Sequence, residues 1–204
     1  MSYDKPIRRI AIVGTGVIGA SWAAQYLARG FDVVATDPAP DAEAKLRKYI
    51  DDAWSALTAI GLAPALRATR LSFTTEMKQA LSQADLVQEN GPERPDFKVK
   101  LFADMDAATP PDSLIASSSS GITPSVMQSN CKRPERVLVG HPFNPPHIIP
   151  LVEVVGGAKT LPTPSGRRWR STRRSERSPS ICGRNFPAMS RTGFRPRSTG
   201  RSCT

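Results

Sequence analysis

Cysteine, histidine and long apolar runs are scarce in this 204-residue chain. It has three cysteines and two histidines, and its first 160 residues contain one cysteine, Cys131. This cysteine count excludes a disulfide framework and indicates a reducing compartment. No apolar run approaches the roughly 20 residues that a membrane-spanning helix needs. The N-terminus passes into a strand without a hydrophobic leader, so a soluble, cytoplasmic protein without a membrane partner is expected. No metal site is expected either.

Negative charge is almost missing from residues 161–204. This segment contains eleven arginines, no lysine and one acid, Glu176, and it carries the whole formal net charge of +10. The first 160 residues have equal numbers of basic and acidic side chains. They are enough for one domain with a core, since domains commonly hold about 100–150 residues. Two unlike segments, 1–160 and 161–204, therefore share the chain.

Strand and helix patterns alternate through the first segment. The run RRIAIVG at residues 8–14 is apolar and ends in glycine, which is typical of a buried parallel strand. A helical pattern follows and stops at Gly30. Further strands are predicted at 31–37, 70–75, 85–90, 113–120, 136–143 and 151–155, and further helices at 41–61, 76–84 and 96–108. The alternation predicts a doubly wound α/β fold, mostly parallel, with helices on both faces. The charged stretch KRPER at 132–136 is expected on a surface turn.

A glycine loop, GTGVIG, connects the first strand to the first helix. In this GxGxxG pattern Gly14 permits a tight turn, Gly16 lets a pyrophosphate approach the backbone, and Gly19 lets the helix pack closely on the strand. The helix N-terminus offers free N–H groups and a partial positive charge to the phosphates. We therefore expect a dinucleotide to contact the whole loop, namely Gly14, Thr15, Gly16, Val17, Ile18 and Gly19.

Asp37 ends the second strand at the distance expected for a dinucleotide site. Its carboxylate would accept hydrogen bonds from the adenosine ribose hydroxyls and repel a 2′-phosphate, which favours NAD over NADP. The alternative interpretation is a turn aspartate that caps the backbone before Pro38.

Both histidines lie in the stretch HPFNPPHIIPLVE. His141 follows an apolar strand pattern, at the end where doubly wound sheets place ligands. Glu153 lies within the apolar run LVEVV, where a carboxylate needs a partner. A hydrogen bond between them would fix the imidazole tautomer and make a general base for an alcohol. Spacing alone leaves open a loop histidine and an unrelated edge-strand glutamate.

A run of four serines, Ser117 to Ser120, follows the strand pattern SLIA. By composition it could be a flexible linker. Its place at the carboxyl end of a strand favours a site in which Ser120 hydrogen-bonds a substrate or nicotinamide.

Four stretches in chain order, GTGVIG, ENGPERPDFKVKLF, IASSSS and HPFNPPHIIPLVEVVGG, resemble the 3-hydroxyacyl-CoA dehydrogenase family. The resemblance covers residues 7–160, and its most specific part is HPFNPP…PLVE. It implies a Rossmann-type domain and NAD-dependent oxidation of an L-3-hydroxy group. By position it implies His141 as the base, Glu153 as its partner, and Ser120 and Asn144 as contacts to substrate and nicotinamide.

The same resemblance places Glu93 and Lys98 on the cofactor and substrate side and gives His147 no role. The stretch is similar to that of carnitine and gulonate dehydrogenases (the lambda-crystallin branch), whereas fatty-acid members carry an aromatic residue where this chain has Pro142. The substrate therefore stays open between an acyl-CoA and a small free 3-hydroxy acid. A non-catalytic, crystallin-like NAD-binding protein is the alternative function.

Residues 161–204 lack apolar periodicity and are expected to be disordered. One interpretation is an arginine-rich arm that binds nucleic acid. The other is an out-of-frame translation, with one base lost near Thr160 to Trp169, because a shifted frame can encode the Pro-Gly-x-x-x-Asn-Arg motif of the family's helical second domain. That domain also supplies dimer contacts in the family, so the full-length form is expected to be a homodimer. If the segment is translated out of frame, its arginines were not selected, so nucleic-acid binding is not the expected reason for its charge of +10.

Overall fold

The fold is seen in a computed structural model that describes residues 6–61, 69–149 and 151–161. The elements in these ranges are β1 (Arg9–Val13), α1 (Val17–Ala28), β2 (Asp32–Thr36), α2 (Ala42–Ala59), β3 (Leu71–Thr74), α3 (Met77–Leu81), β4 (Leu86–Glu89), α4 (Pro95–Ala108), β5 (Leu114–Ser117), α5 (Pro124–Met127), β6 (Val137–Pro142) and β7 (Val152–Gly156). Every predicted strand and helix is present, most of them shorter at their ends. The predicted basic tail lies outside the described residues except for Leu161.

The seven strands form one sheet in the order β3-β2-β1-β4-β5-β6-β7. Strands β1 to β6 run parallel, and β7 pairs with β6 in the antiparallel direction. The chain moves outward from β1 to β3, then returns to the other side of β1 with β4. This doubly wound order confirms the predicted fold class and creates a crevice beyond the carboxyl ends of β1 and β4.

Two apolar cores lie on opposite faces of this sheet. Alternate residues of β1 point to different faces: Ile10 and Ile12 belong to the core that α1 and α2 cover, and Ala11 and Val13 to the core under α3, α4 and α5. Helices therefore cover both faces, as predicted. None of the helices within the described ranges is long and apolar enough to cross a membrane.

The prediction of a surface turn at 132–136 is wrong for its last residue. Arg136 is completely buried and contacts Asp106 of α4 through its Nε and Nη2 atoms, at 2.9 and 2.7 Å from Oδ1. Although burial raises the pKa of the Asp106 carboxyl, hydrogen bonds from Arg136 and two backbone N–H groups outweigh this and lower the pKa. The guanidinium also donates to the backbone carbonyls of Asp106 and Thr109 at the C-terminal end of α4. The arginine thus links the loop before β6 to the end of α4.

Candidate active site

The loops after β1 and β4 meet at the crevice of the sheet. The Gly14 N–H donates to the Thr36 carbonyl at 3.0 Å, and the Asn90 N–H donates to the Val13 carbonyl at 2.8 Å. The Asn90 side-chain amide also donates to the Val13 and Gly14 carbonyls, at 3.3 and 3.4 Å. The glycine loop is therefore held from both neighbouring strands, at the position where this fold class binds ligands.

The three glycines of the loop have different surroundings. Gly14 has a φ of 84°, and a Cβ there would lie 3.1 Å from the Asn90 backbone. A Cβ at Gly19 would overlap the Gly14 carbonyl oxygen. A Cβ at Gly16 would meet no atom within 4 Å. The protein's own packing thus demands glycine at the first and third positions, while the second faces open space that a ligand can approach.

Asp37 contacts the glycine loop directly. Its Oδ2 accepts hydrogen bonds from the Thr15 backbone N–H at 2.7 Å and from the Thr15 hydroxyl at 3.0 Å. Its Oδ1 accepts from the Ala39 N–H at 2.9 Å, which is the turn contact that the alternative interpretation expected. A carboxylate has about four acceptor positions, so a position is left for a ribose hydroxyl. Asp37 can act in the turn and in ligand binding together.

The start of α1 suits an anionic group. Val17, the first residue of the helix, is 69% exposed, and the first turn contains no acidic residue. The helix N-terminus therefore offers its N–H groups to solvent without a competing carboxylate. With the open space at Gly16 and the acceptor at Asp37, these residues fit a dinucleotide. Within the described ranges, no group of three or more His, Cys, Asp or Glu residues could hold a metal ion.

His141 and Glu153 face each other across the antiparallel pair β6–β7. They are direct register partners, and His141 Nδ1 lies 3.0 Å from Glu153 Oε2. Both side chains are partly exposed, at 30% and 21%. Because Nδ1 is engaged by the carboxylate, Nε2 is the nitrogen left to meet a substrate. The contact expected from the sequence is present, and His141 lies inside the strand rather than after it.

The serine run is a structured turn rather than a linker. Ser117 donates to the buried Glu89 at 2.7 Å, and Ser119 donates to Glu93 at 2.8 Å. Glu93 also accepts from the N–H of Ser120 at 2.9 Å and from the N–H of Gly121. Ser120 is the exposed member of the run. Its hydroxyl is thus presented at the carboxyl edge of the sheet by a turn that Glu93 holds.

The pKa of Glu93 is lowered although burial acts to raise it. The hydrogen bonds from Gly121, Ser119 and Ser120 favour the ionised carboxylate and outweigh the burial. Glu93 therefore acts as an acceptor that fixes the serine turn. Its predicted contact with the cofactor or substrate side stays a prediction.

Lys98 lies in the interior, whereas the sequence led us to expect it along the cofactor side. It is 1% exposed and its ammonium donates to both Glu89 oxygens, at 2.7 and 2.6 Å, and to the Gly91 carbonyl at 3.1 Å. All three ammonium hydrogens are thereby used. The structure gives Lys98 a buried ion pair with Glu89 beneath the site. Its expected place on the cofactor and substrate side stays a prediction.

Sequence analysis missed the polar end of β4. Gln88 and Glu89 are completely buried. Ser118 joins Gln88 to two neighbouring side chains by hydrogen bonds. The Ser118 hydroxyl accepts from Gln88 at 2.8 Å and from Trp22 at 3.1 Å, and it donates to Asn90 at 2.8 Å. The signal was available, because polar residues inside an apolar strand pattern need partners, as was argued for Glu153.

The chain resembles known proteins over most of its length. The family model described as the NAD-binding domain of 3-hydroxyacyl-CoA dehydrogenase matches residues 9–181. L-carnitine dehydrogenase from Streptomyces coelicolor is 52% identical over 160 residues, which are 78% of this chain and 50% of the relative. The enzyme of the same name from Bacillus cereus is 49% identical over 156 residues, 76% of this chain and 48% of the relative.

A solved structure of a 3-hydroxyacyl-CoA dehydrogenase is also similar to this chain. The structure of 3-hydroxybutyryl-CoA dehydrogenase from Escherichia coli superimposes with a TM-score of 0.71 and 31% identity, over 77% of this chain and 34% of that one. This chain spans about half the length of the curated relatives it matches. It belongs to the 3-hydroxyacyl-CoA dehydrogenase family and contains the NAD-binding domain of that family.

Proposed function

We propose that the protein to which this domain belongs oxidises the L-3-hydroxy group of a small 3-hydroxy acid with NAD. The observation that carries the proposal is the 3.0 Å contact between His141 Nδ1 and Glu153 Oε2 at the carboxyl edge of the sheet. An imidazole whose Nδ1–H is held by a carboxylate has a basic Nε2 and a stabilised protonated form. Such an imidazole can act as the general base that removes a proton from an alcohol.

The oxidation removes a proton from the hydroxyl oxygen and a hydride from the carbon. His141 Nε2 takes the proton, and Glu153 stabilises the imidazolium that forms, since its carboxylate is the acceptor of Nδ1–H. NAD, when bound, supplies the hydride acceptor. Ser120 and Asn144 are both exposed at this edge and are proposed to orient the reactants by hydrogen bonds.

Carnitine is the favoured substrate among the 3-hydroxy acids. Relatives named L-carnitine dehydrogenase are 47–54% identical to this chain, compared with 31% for the structure named 3-hydroxybutyryl-CoA dehydrogenase. The test is NADH formation with L-carnitine, L-gulonate and L-3-hydroxybutyryl-CoA, using a protein that includes the family's second domain. A kcat/KM at least tenfold higher for the CoA ester than for carnitine would contradict the carnitine assignment and leave the reaction class intact.

Residues 161–204 are proposed to replace the second domain through a frameshift. The matches to eight L-carnitine dehydrogenases extend over 154–162 residues of this chain, although the family model continues to residue 181. The composition of the segment is also that of a GC-rich gene read out of frame. Sequencing the coding DNA from Gly156 to beyond the stop codon tests this proposal. A restored base should open a frame of about 100 or more residues, and an unchanged frame would make the basic tail genuine and reopen nucleic-acid binding.

The printed chain is proposed to bind NAD with little turnover. The glycine loop, Asp37 and the start of α1 lie within it, so the cofactor site is present. The family's second domain would exclude water and hold the substrate, which raises the rate of transfer. A homodimer of the full-length form and a cytoplasmic location stay predictions.

Replacing Gly16 by alanine should weaken NAD binding about 10- to 100-fold without unfolding the chain. A methyl group at this position meets no protein atom within 4 Å, so its effect falls on the approaching pyrophosphate. The free energy of unfolding should change by less than about 1 kcal/mol. Isothermal titration with NAD and urea denaturation measure the two quantities.

Gly19→Ala is the matched control within the same loop. Its methyl group overlaps the Gly14 carbonyl, so it should lower the free energy of unfolding by about 1–3 kcal/mol as well as weaken NAD binding. If Gly16→Ala left the affinity for NAD unchanged, the pyrophosphate could not lie against this glycine.

A further inference from the structure

His147 is one of the chain's two histidines and has no part in the proposed chemistry. It lies in the loop between β6 and β7 and is only 9% exposed, and its ring makes an edge contact with Tyr49 of α2, with ring centroids 5.9 Å apart. A buried imidazole in a loop is costly unless its polar atoms find partners. Its partner is found in α1.

Ser21 of α1 binds His147 twice. The backbone N–H of His147 donates to the Ser21 hydroxyl oxygen at 3.1 Å, and the hydroxyl lies 2.7 Å from His147 Nδ1. Burial lowers the pKa of His147, which favours the neutral ring. In that form the Ser21 hydroxyl accepts from the backbone and donates to Nδ1, while the ring proton stays on Nε2. Ser21 itself is completely buried, so both bonds are shielded from water.

The rest of the loop is built around this contact. The N–H groups of Ile148 and Ile149 both donate to the Pro145 carbonyl at 3.0 Å, and the Phe143 N–H donates to the Leu151 carbonyl at 3.3 Å. Asn144 lies exposed between these two sets of bonds. The turn that follows Asn144 is therefore compact, and His147 attaches it to α1.

The other end of the attachment lies next to the cofactor loop. Ser21 is two residues beyond Gly19 on α1, the helix whose N-terminus is to receive the pyrophosphate. A side-chain contact thus joins the loop with Asn144 to the helix that follows the glycine loop. The contact that joins the two places is made by Ser21 and His147, which are not among the residues expected to bind NAD.

We propose that His147 is a positioning residue, which through Ser21 holds the Asn144 loop at a set distance from the glycine loop so that the nicotinamide half of NAD meets its partners. The proposal rests on the proposed function, because it needs NAD to extend from the glycine loop to Asn144. It predicts that loss of the contact weakens binding of the nicotinamide half and spares the adenosine diphosphate half.

The test compares NAD with ADP-ribose, which lacks the nicotinamide, on the 204-residue chain. Ser21→Ala and His147→Leu should each raise the Kd for NAD about 5- to 30-fold, because buried polar groups lose their partners and the loop shifts. The Kd for ADP-ribose should change less than about twofold. Ser21→Ala removes one hydroxyl from a helix and is the milder variant if His147→Leu fails to fold.

Ser113→Ala is the matched control. Ser113 is also completely buried, and its hydroxyl donates one hydrogen bond, to the Ala84 carbonyl. This contact lies at the amino ends of β4 and β5, away from the carboxyl ends where the cofactor loop lies. Ser113→Ala should lose comparable stability while both Kd values stay within about twofold of the wild type. Equal losses for NAD and ADP-ribose in Ser21→Ala, or no loss for either, would overturn the positioning role. A wild-type chain that binds neither ligand would instead refute the proposed function.

Discussion

Replacing Lys98 by methionine should lower the free energy of unfolding by about 3–5 kcal/mol. Lys98 and Glu89 are 1% and 0% exposed, and the ammonium contacts both carboxylate oxygens. Without the lysine, a carboxylate stays in the interior, and within the described ranges its remaining donors are the hydroxyl of Ser117 and the N–H of Gly91. Urea denaturation followed by circular dichroism measures the loss, which is large beside a typical stability of about 5–15 kcal/mol.

A second substitution separates the ion pair from a role in cofactor binding. In Lys98→Met/Glu89→Gln the charge is gone, and the amide still offers an acceptor to Gly91 and a donor to Ser117. We expect the double variant to recover at least half of the lost stability, since neutral replacements of buried pairs are often tolerated. Its Kd for NAD should lie within about threefold of the wild type. A double variant of normal stability that no longer binds NAD would instead support the contact that the family resemblance implied.

The sequence was sufficient for the sheet because strands, glycines and turns leave local patterns. The run at 8–14 and the loop at 14–19 signal a strand, a turn and a helix within a few residues. The register between His141 and Glu153 is different, since it depends on β7 turning back beside β6. The spacing of the two residues left that contact open, and the family resemblance favoured it. The structure makes them direct register partners across β6 and β7.

The burial of charged residues is the feature that the sequence did not reveal. Arg136 comes from a charged stretch that was expected on a surface turn, and Lys98 was expected on the cofactor and substrate side. Their burial depends on acids distant in sequence, Asp106 and Glu89, which only the packing of the loop and α4 brings near. Glu89 could have been noticed, because it ends an apolar strand pattern as Glu153 interrupts one. His147 left no signal, since its partner Ser21 lies on another element.

Replacing His141 by alanine should lower kcat about 10²- to 10⁴-fold, the usual contribution of a general base. Water would then have to accept the hydroxyl proton, and no imidazolium would form beside Glu153. The measurement is NADH formation from L-carnitine by the frame-restored protein. The Kd for NAD should stay within about threefold of the wild type, because the side-chain partners of His141, Glu153 and Phe143, lie outside the glycine loop.

Glu153→Gln tests whether the pair acts as a unit. The amide can still reach Nδ1, but it lacks the charge that stabilises the imidazolium, so kcat should fall about 10- to 100-fold, the value of a charge-assisted hydrogen bond. In His141→Ala/Glu153→Gln the second substitution should cost little further, because the carboxylate acts through the histidine. Additive losses would assign Glu153 a separate contact with the substrate. Unchanged turnover in His141→Ala would remove the enzymatic role of this histidine. NAD binding without turnover in the frame-restored wild type would favour the non-catalytic, crystallin-like alternative.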